Sequence, residues 1–182
     1  DVTTEAYPYT ASASLIESPL FDSWEDRADS SYRTLQWVDT GERLTSETVA
    51  AYRRQGGWVI MHGRSEATKE WIVSQPDVIA ASDGIPFSAG RAHRGGAGTF
   101  SRILAHYVRH RGALSLSDAI RKMTLLPAQR LEAVIPSMTQ KGLIQVGSDA
   151  DLTIFDPATI IDRATYEDPD QYSAGISHVL VG

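Results

Sequence analysis

The sequence predicts an α/β protein with a parallel sheet that gives way, near residue 140, to a smaller β region. Three observations carry this expectation. Helical patterns alternate with the short apolar runs Trp58-Val59-Ile60-Met61 and Val78-Ile79-Ala80-Ala81. Those runs are continuous rather than alternating, as strands covered on both faces require. Beyond residue 140 the helical spacing stops, and short strand-like runs follow one another between turn residues.

Val2 to Tyr9 reads as a strand closed by Pro8, because proline donates no hydrogen bond to a ladder. Residues 10–45 mix Ser, Asp, Pro and scattered aromatics without a sustained period. They predict a long excursion with one or two short helices, of the kind that shapes a binding pocket. Thr45 or Ser46 caps a helix running to Gln55, and Gly56-Gly57 ends it. Trp58–Met61 then reads as a buried strand of the parallel sheet. Ser65 caps the next helix, read with Ala67, Trp71 and Ile72 facing in and Thr68 and Lys69 facing out, and Pro76 stops it. The strand from Val78 ends in the polar turn Ser82-Asp83-Gly84.

Phe100, Ile103, Leu104, Tyr107 and Val108 fall on one helical stripe that Gly112 terminates. Ser115 with Asp118 resembles a capping box for a helix holding Leu116, Ala119, Ile120 and Met123. Leu125 to Ala133 continues as helix after a break near Pro127. Leu143–Val146, Leu152–Phe155 and His178–Val181 read as short strands. The expected division is therefore 1–139 and 140–182.

Hydrophobic residues make up 42% and charged residues 22% of the 182, which suits a folded globular chain. A net charge of -6 speaks against a nucleic-acid partner, which would need a basic face. Without cysteine the chain offers no disulfide, thiolate ligand or Cys nucleophile. No apolar run approaches the roughly 20 residues that span a bilayer, and no apolar leader opens the chain; a cytoplasmic location is expected.

Asp83 is the strongest candidate for chemistry. A carboxylate at the end of a buried parallel strand is placed to hold a divalent metal or to take a proton from metal-bound water; the plainer reading is a turn aspartate bonded to its own backbone. His62 follows a strand and would line the same end. His106 and His110 have i, i+4 spacing, but no Glu follows His106 and both flank Arg102 and Arg109, which favours a solvated basic face over a metal site. His93 lies in the glycine-rich run Gly90-Arg91-Ala92-His93-Arg94-Gly95-Gly96-Ala97-Gly98-Thr99. The run lacks a terminal Gly-Lys-Ser/Thr, so a mobile loop with a carboxylate-binding Arg suits it better than a nucleotide loop. Ser12 and Ser14 have no His/Asp arrangement around them, so a serine hydrolase finds no support.

Six segments in order resemble the N-acyl-D-amino-acid deacylase (D-aminoacylase) branch of the amidohydrolase superfamily. They are Tyr7-Pro8-Tyr9-Thr10-Ala11-Ser12, Ala81-Ser82-Asp83-Gly84-Ile85-Pro86, Gly98-Thr99-Phe100-Ser101-Arg102, Lys122-Met123-Thr124 with Leu126-Pro127-Ala128, Gly147-Ser148-Asp149-Ala150-Asp151-Leu152 with Ile154-Phe155-Asp156-Pro157, and Ala164-Thr165-Tyr166-Glu167. The resemblance implies the C-terminal part of a (β/α)8 TIM-type barrel over 1–139, followed by strands of a small β-sandwich domain over 140–182. It implies a zinc cofactor and amide hydrolysis of an N-acyl-D-amino acid. Asp83 would be the aspartate at the end of the last barrel strand, touching the metal and moving a proton from water to the leaving amine. Tyr7 would help bind the substrate carboxylate, assisted by Ser12 or Ser14. His93 and Arg94 would stand where the family has His-Pro-Arg, with the Arg shifted by one position relative to the glycines.

The family's other metal ligands lie upstream of the Tyr-Pro-Tyr segment, and a catalytic zinc needs about three or four protein ligands. The isolated chain is therefore expected to be inactive. A longer parent protein, a missing N-terminal segment or an oligomer partner is expected to complete the barrel. Two other readings stand beside this one: a cyclic amidohydrolase of dihydroorotase or hydantoinase type, and a metal-free, non-catalytic fragment.

Overall fold

The computed structural model describes residues 2–24, 27–87 and 90–182. In chain order the main elements are β1 (Thr4–Ala6), β2 (Ser12–Leu15), α1 (Asp29–Tyr32), β3 (Leu35–Trp37), α2 (Ser46–Gln55), β4 (Trp58–Met61), α3 (Glu66–Ser74) and β5 (Val78–Ala80). Then come α4 (Gly95–Arg102), which runs on as a π-helix over Ile103–His110, α5 (Leu116–Met123), α6 (Leu125–Leu131), β6 (Leu152–Phe155) and β7 (Ile176–Leu180). The result is a mixed α/β fold with three small sheets.

β1 and β5 pair in parallel, with Ala6 opposite Ala80. This is the parallel pair expected of the α/β pattern. Trp58–Met61 departs from it: β4 lies between β2 and β3 and is antiparallel to both. A continuous apolar run marks a strand covered on both faces but carries no direction, so its spacing could not separate the two cases. The excursion over 10–45 also holds more order than expected, since it supplies β2 and β3. Its apolar residues build a core of their own: Ile16, Phe21, Trp24, Tyr32, Leu35, Trp37 and Leu44 pack with Val49 of α2 and Val59 of β4. Trp37 also stacks flat on Tyr52, with ring centroids 4.0 Å apart. Burying side chains of this size contributes about 1.5–3 kcal/mol each, enough to order a segment that has no sustained period.

The helix caps follow the sequence. Thr45 and Thr48 form a reciprocal capping box on α2, Ser65 accepts from the Thr68 N–H on α3, and Ser115 accepts from the Asp118 N–H on α5. The α5–α6 break falls at Thr124, not Pro127. Pro127 sits in the first turn of α6, where its missing N–H costs nothing.

The inward face of α3 departs from the one expected at Ala67, Lys69 and Trp71, while Thr68 is exposed and Ile72 half-buried. Lys69 is only 6% exposed and Val73 lies in the core, while Trp71 is 64% exposed. Glu66, Lys69 and Val73 share a face at i, i+3 and i+7 spacing, so the buried stripe runs through a charged pair. His106 departs from the expected solvated face as well. Its Nε2 lies 2.8 Å from Glu66 Oε1, and the Tyr107 hydroxyl donates to the same oxygen at 2.9 Å. These bonds tie α3 to the π-helix. Leu143–Val146 forms no strand, and β6 pairs with β7 alone. Between those two strands the chain returns to the main body: Ile160 packs with Ile103, Leu104 and Tyr107, and Ala164 is fully buried.

Candidate active site

Parallel strands end on the same side of their sheet, and this brings the first group of residues together. The Ala81 N–H donates to the Ala6 carbonyl at 3.0 Å, extending the β1–β5 pairing by one bond. Tyr7 therefore leaves β1 where Ser82-Asp83-Gly84 leaves β5. Asp83 adopts a left-handed backbone with φ 47, a conformation aspartate tolerates better than most residues. Its side chain is exposed.

The turn is held from behind by the second half of the glycine-rich run, Gly95 to Thr99, which opens α4, while residues 90–94 lead into it as non-helical chain. A Cβ on Gly84 would lie 2.9 Å from the Gly96 Cα, and one on Gly95 would lie 2.6 Å from the Ser82 carbonyl oxygen. Glycine is needed here for close backbone approach. The sequence suggested an anion loop; the structure uses the run to pack a helix start against the Asp83 turn.

His93 sits beneath this junction, 0% exposed. Its Nδ1 accepts from the Gly95 N–H at 3.0 Å, so the proton is on Nε2, which donates to the Ala11 carbonyl at 3.2 Å. Both ring nitrogens are engaged within the protein, and burial holds the imidazole below its ordinary range. Tyr7, Tyr9 and Tyr166 meet its ring edge to face at 6.2, 5.4 and 5.5 Å. Arg94 turns to Asp162, pairing at 2.7 Å with a carboxylate that is 7% exposed. Its guanidinium also lies over Tyr9 and Tyr166, at 5.0 and 5.5 Å from their centroids.

The structure brings Ser12 into the group and leaves Ser14 two residues along the same strand. Ser12 pairs with Met61 and Ser14 with Val59. The Arg64 guanidinium reaches Ser12 Oγ at 3.4 Å, and the Arg64 N–H donates to the Thr10 carbonyl at 3.0 Å. The Lys69 ammonium lies 3.8 Å from the Tyr7 ring centroid. Burial pushes the Tyr7 phenol up; Arg64 and the Ser12 hydroxyl oppose that rise, and the Asp83 charge adds to it. Burial pushes the Lys69 ammonium down, as does Arg64, while Asp83 and Glu66 push the other way. Tyr7, Ser12, Arg64, Lys69 and Asp83 thus share one electrostatic neighbourhood.

Arg64 and Lys69 escaped the sequence reading. The i, i+4 relation of Lys69 to Val73 was the available signal, but Trp71 outweighed it as an apolar anchor. His62 stands apart from Asp83: its Nε2 bonds the Gln36 Oε1 at 2.8 Å, and its ring meets Tyr166 edge on at 4.8 Å.

No three His, Asp or Glu side chains converge on a metal position among the described residues. Asp83 offers one exposed carboxylate, and the described residues by themselves do not make a complete metal site.

Residues 33–182 match the model of the amidohydrolase family. The chain belongs to that family. Among amidohydrolases, it is similar to a D-aminoacylase of Alcaligenes xylosoxydans xylosoxydans, with 33% identity over all of this chain and 38% of the relative. It is similar also to an N-acyl-D-glutamate deacylase of the same organism, at 32% identity over all of this chain and 37% of that protein. A crystal structure of N-acyl-D-glutamate deacylase from Bordetella bronchiseptica, complexed with zinc and a phosphonate mimic of the tetrahedral intermediate, superposes on the whole chain with a TM-score of 0.81 and 28% identity, covering 38% of that protein. The chain spans under two-fifths of the length of the relatives it matches.

Proposed function

We propose that this chain forms part of a zinc-dependent deacylase that hydrolyses the amide bond of N-acyl-D-amino acids. The observation that carries the reading is the exposed Asp83, set beside Tyr7 where two parallel strands end together. Active sites of α/β barrels occupy that end, and the D-aminoacylase and deacylase relatives extend over the whole chain.

Asp83 holds the proton taken from water and passes it to the leaving nitrogen, so the amine departs neutral and the acyl group as a carboxylate. Zinc, when bound, would polarise the water and the amide carbonyl. Tyr7 and the Ser12 hydroxyl orient the substrate carboxylate. His93 and Arg94 serve the pocket from behind: His93 locks the first turn of α4, and Arg94 is clamped by Asp162.

The remaining metal ligands come from an upstream segment or a partner, and residues 140–182 with β6 and β7 belong to a small β-sandwich domain. A cytoplasmic location is part of the same reading. Among the described residues no helix is long and apolar enough to cross a membrane.

The test is a substrate panel on the zinc-loaded protein that contains this chain together with the upstream segment. Hydrolysis of N-acetyl-D-amino acids, with their L-enantiomers left intact, is the expected result. Turnover of hydantoins or dihydropyrimidines alone would reassign the enzyme to ring-opening chemistry.

A further inference from the structure

Arg64 and Lys69 both lie at the Tyr7–Ser12 edge of the site, and neither makes a salt bridge among the described residues. Arg64 is fixed by its backbone bond to the Thr10 carbonyl, and its guanidinium touches Ser12 Oγ at 3.4 Å. Lys69 is 94% buried by the chain around it, yet its ammonium makes no hydrogen bond or ion pair among the described residues and rests over the Tyr7 ring at 3.8 Å. The carboxylate nearest to Lys69 on its own helix is taken: Glu66 is engaged by Arg102, His106 and Tyr107. Asp162 is likewise committed to Arg94. Asp83 and Glu66 both act on the Lys69 charge, but Glu66 is shared with three other groups and Asp83 is the residue proposed for the reaction.

Holding two like charges near each other costs free energy, which the Tyr7 ring offsets in part and an added anion offsets further. A substrate with a single carboxylate leaves one of the charges unmatched. We propose that Arg64 and Lys69 select N-acyl-D-amino acids whose side chain carries a second carboxylate, the aspartate and glutamate derivatives. The inference rests on the deacylase reading and narrows it to acidic substrates. Arg64, with a planar fork of donors, suits a carboxylate oxygen pair. Lys69 acts as a point charge at the Tyr7 ring.

The test compares kcat/KM for N-acetyl-D-aspartate and N-acetyl-D-glutamate with that for N-acetyl-D-leucine, on the zinc-loaded full-length protein. The better acidic substrate is expected to exceed the leucine derivative by about tenfold or more, because a site built for a polar group rejects an analogue that lacks it. Arg64→Gln is expected to cut that ratio by about tenfold, mainly through KM. Arg64 is exposed and holds Thr10 through its backbone N–H, which Gln keeps, so the fold is expected to survive the replacement. Titration calorimetry gives a second readout: D-aspartate or D-glutamate binds more tightly than D-leucine, and Arg64→Gln removes the difference. Equal or better use of N-acetyl-D-leucine by the unaltered enzyme overturns the acidic preference and leaves the deacylase reading standing. Failure to hydrolyse any N-acyl-D-amino acid overturns both.

Discussion

His62 and His93 show how burial keeps an imidazole neutral. Burial, with Arg43 and His93 nearby, lowers His62 to about 4, and Glu167 opposes the shift only in part. His93 is lowered by burial too. Between pH 6.5 and about 4 the unfolded chain takes a proton on His62 that the folded protein refuses. The stabilisation is therefore complete above pH 6.5 and is lost as the pH falls toward 4. Denaturant midpoints measured across that window should fall with acid in the unaltered protein. They should fall less steeply in His62→Phe, which has lost one titrating ring. At this scale the sequence was partly legible. Asp83 could be named as a candidate because an acid at the end of a buried strand is placed for chemistry, although the same tripeptide also reads as a plain turn. Lys69 could not, because a lysine's burial depends on a Tyr7 ring that lies 62 residues earlier in the chain.

The first turn of α4 explains how the Asp83 turn keeps its shape. Gly95 lies against the Ser82 carbonyl, and Gly84 lies against Gly96. Gly95→Ala would put a methyl group 2.6 Å from that carbonyl oxygen and 2.8 Å from His93 Nδ1. Neither neighbour is a flexible chain end, so we expect a loss of about 1–3 kcal/mol of stability, read from the shift in denaturant midpoint. An unchanged midpoint would contradict the packing described. The helices were legible because their caps are local: Thr45, Ser65 and Ser115 each bond a backbone N–H three residues on. The small sheets were not. Ser12-Ala13-Ser14-Leu15 has weak strand character, and it becomes a strand because β4 supplies the partner. The direction of β4 likewise depends on neighbours distant in sequence.

Across the whole molecule, apolar side chains stand uncovered. Trp71, Val134, Ile144, Val146, Val179 and Val181 are all largely exposed, Ile144 at 95%. Where such residues adjoin, apolar surface marks places where other structure packs. The two-stranded β1–β5 and β6–β7 pairs also leave sheet edges open. Both features accord with a chain that covers 38% of the D-aminoacylase it matches. On the proposed reading Asp83 acts only once the metal site is complete, so the decisive measurement is made on the zinc-loaded protein that includes the upstream segment. Asp83→Asn keeps the size of the side chain and removes its proton-carrying oxygen. The account predicts that kcat for the best N-acyl-D-amino acid falls by about 10²–10⁴, with the fold unchanged by circular dichroism. A variant that hydrolyses the same substrate within a few-fold of the unaltered rate would contradict it.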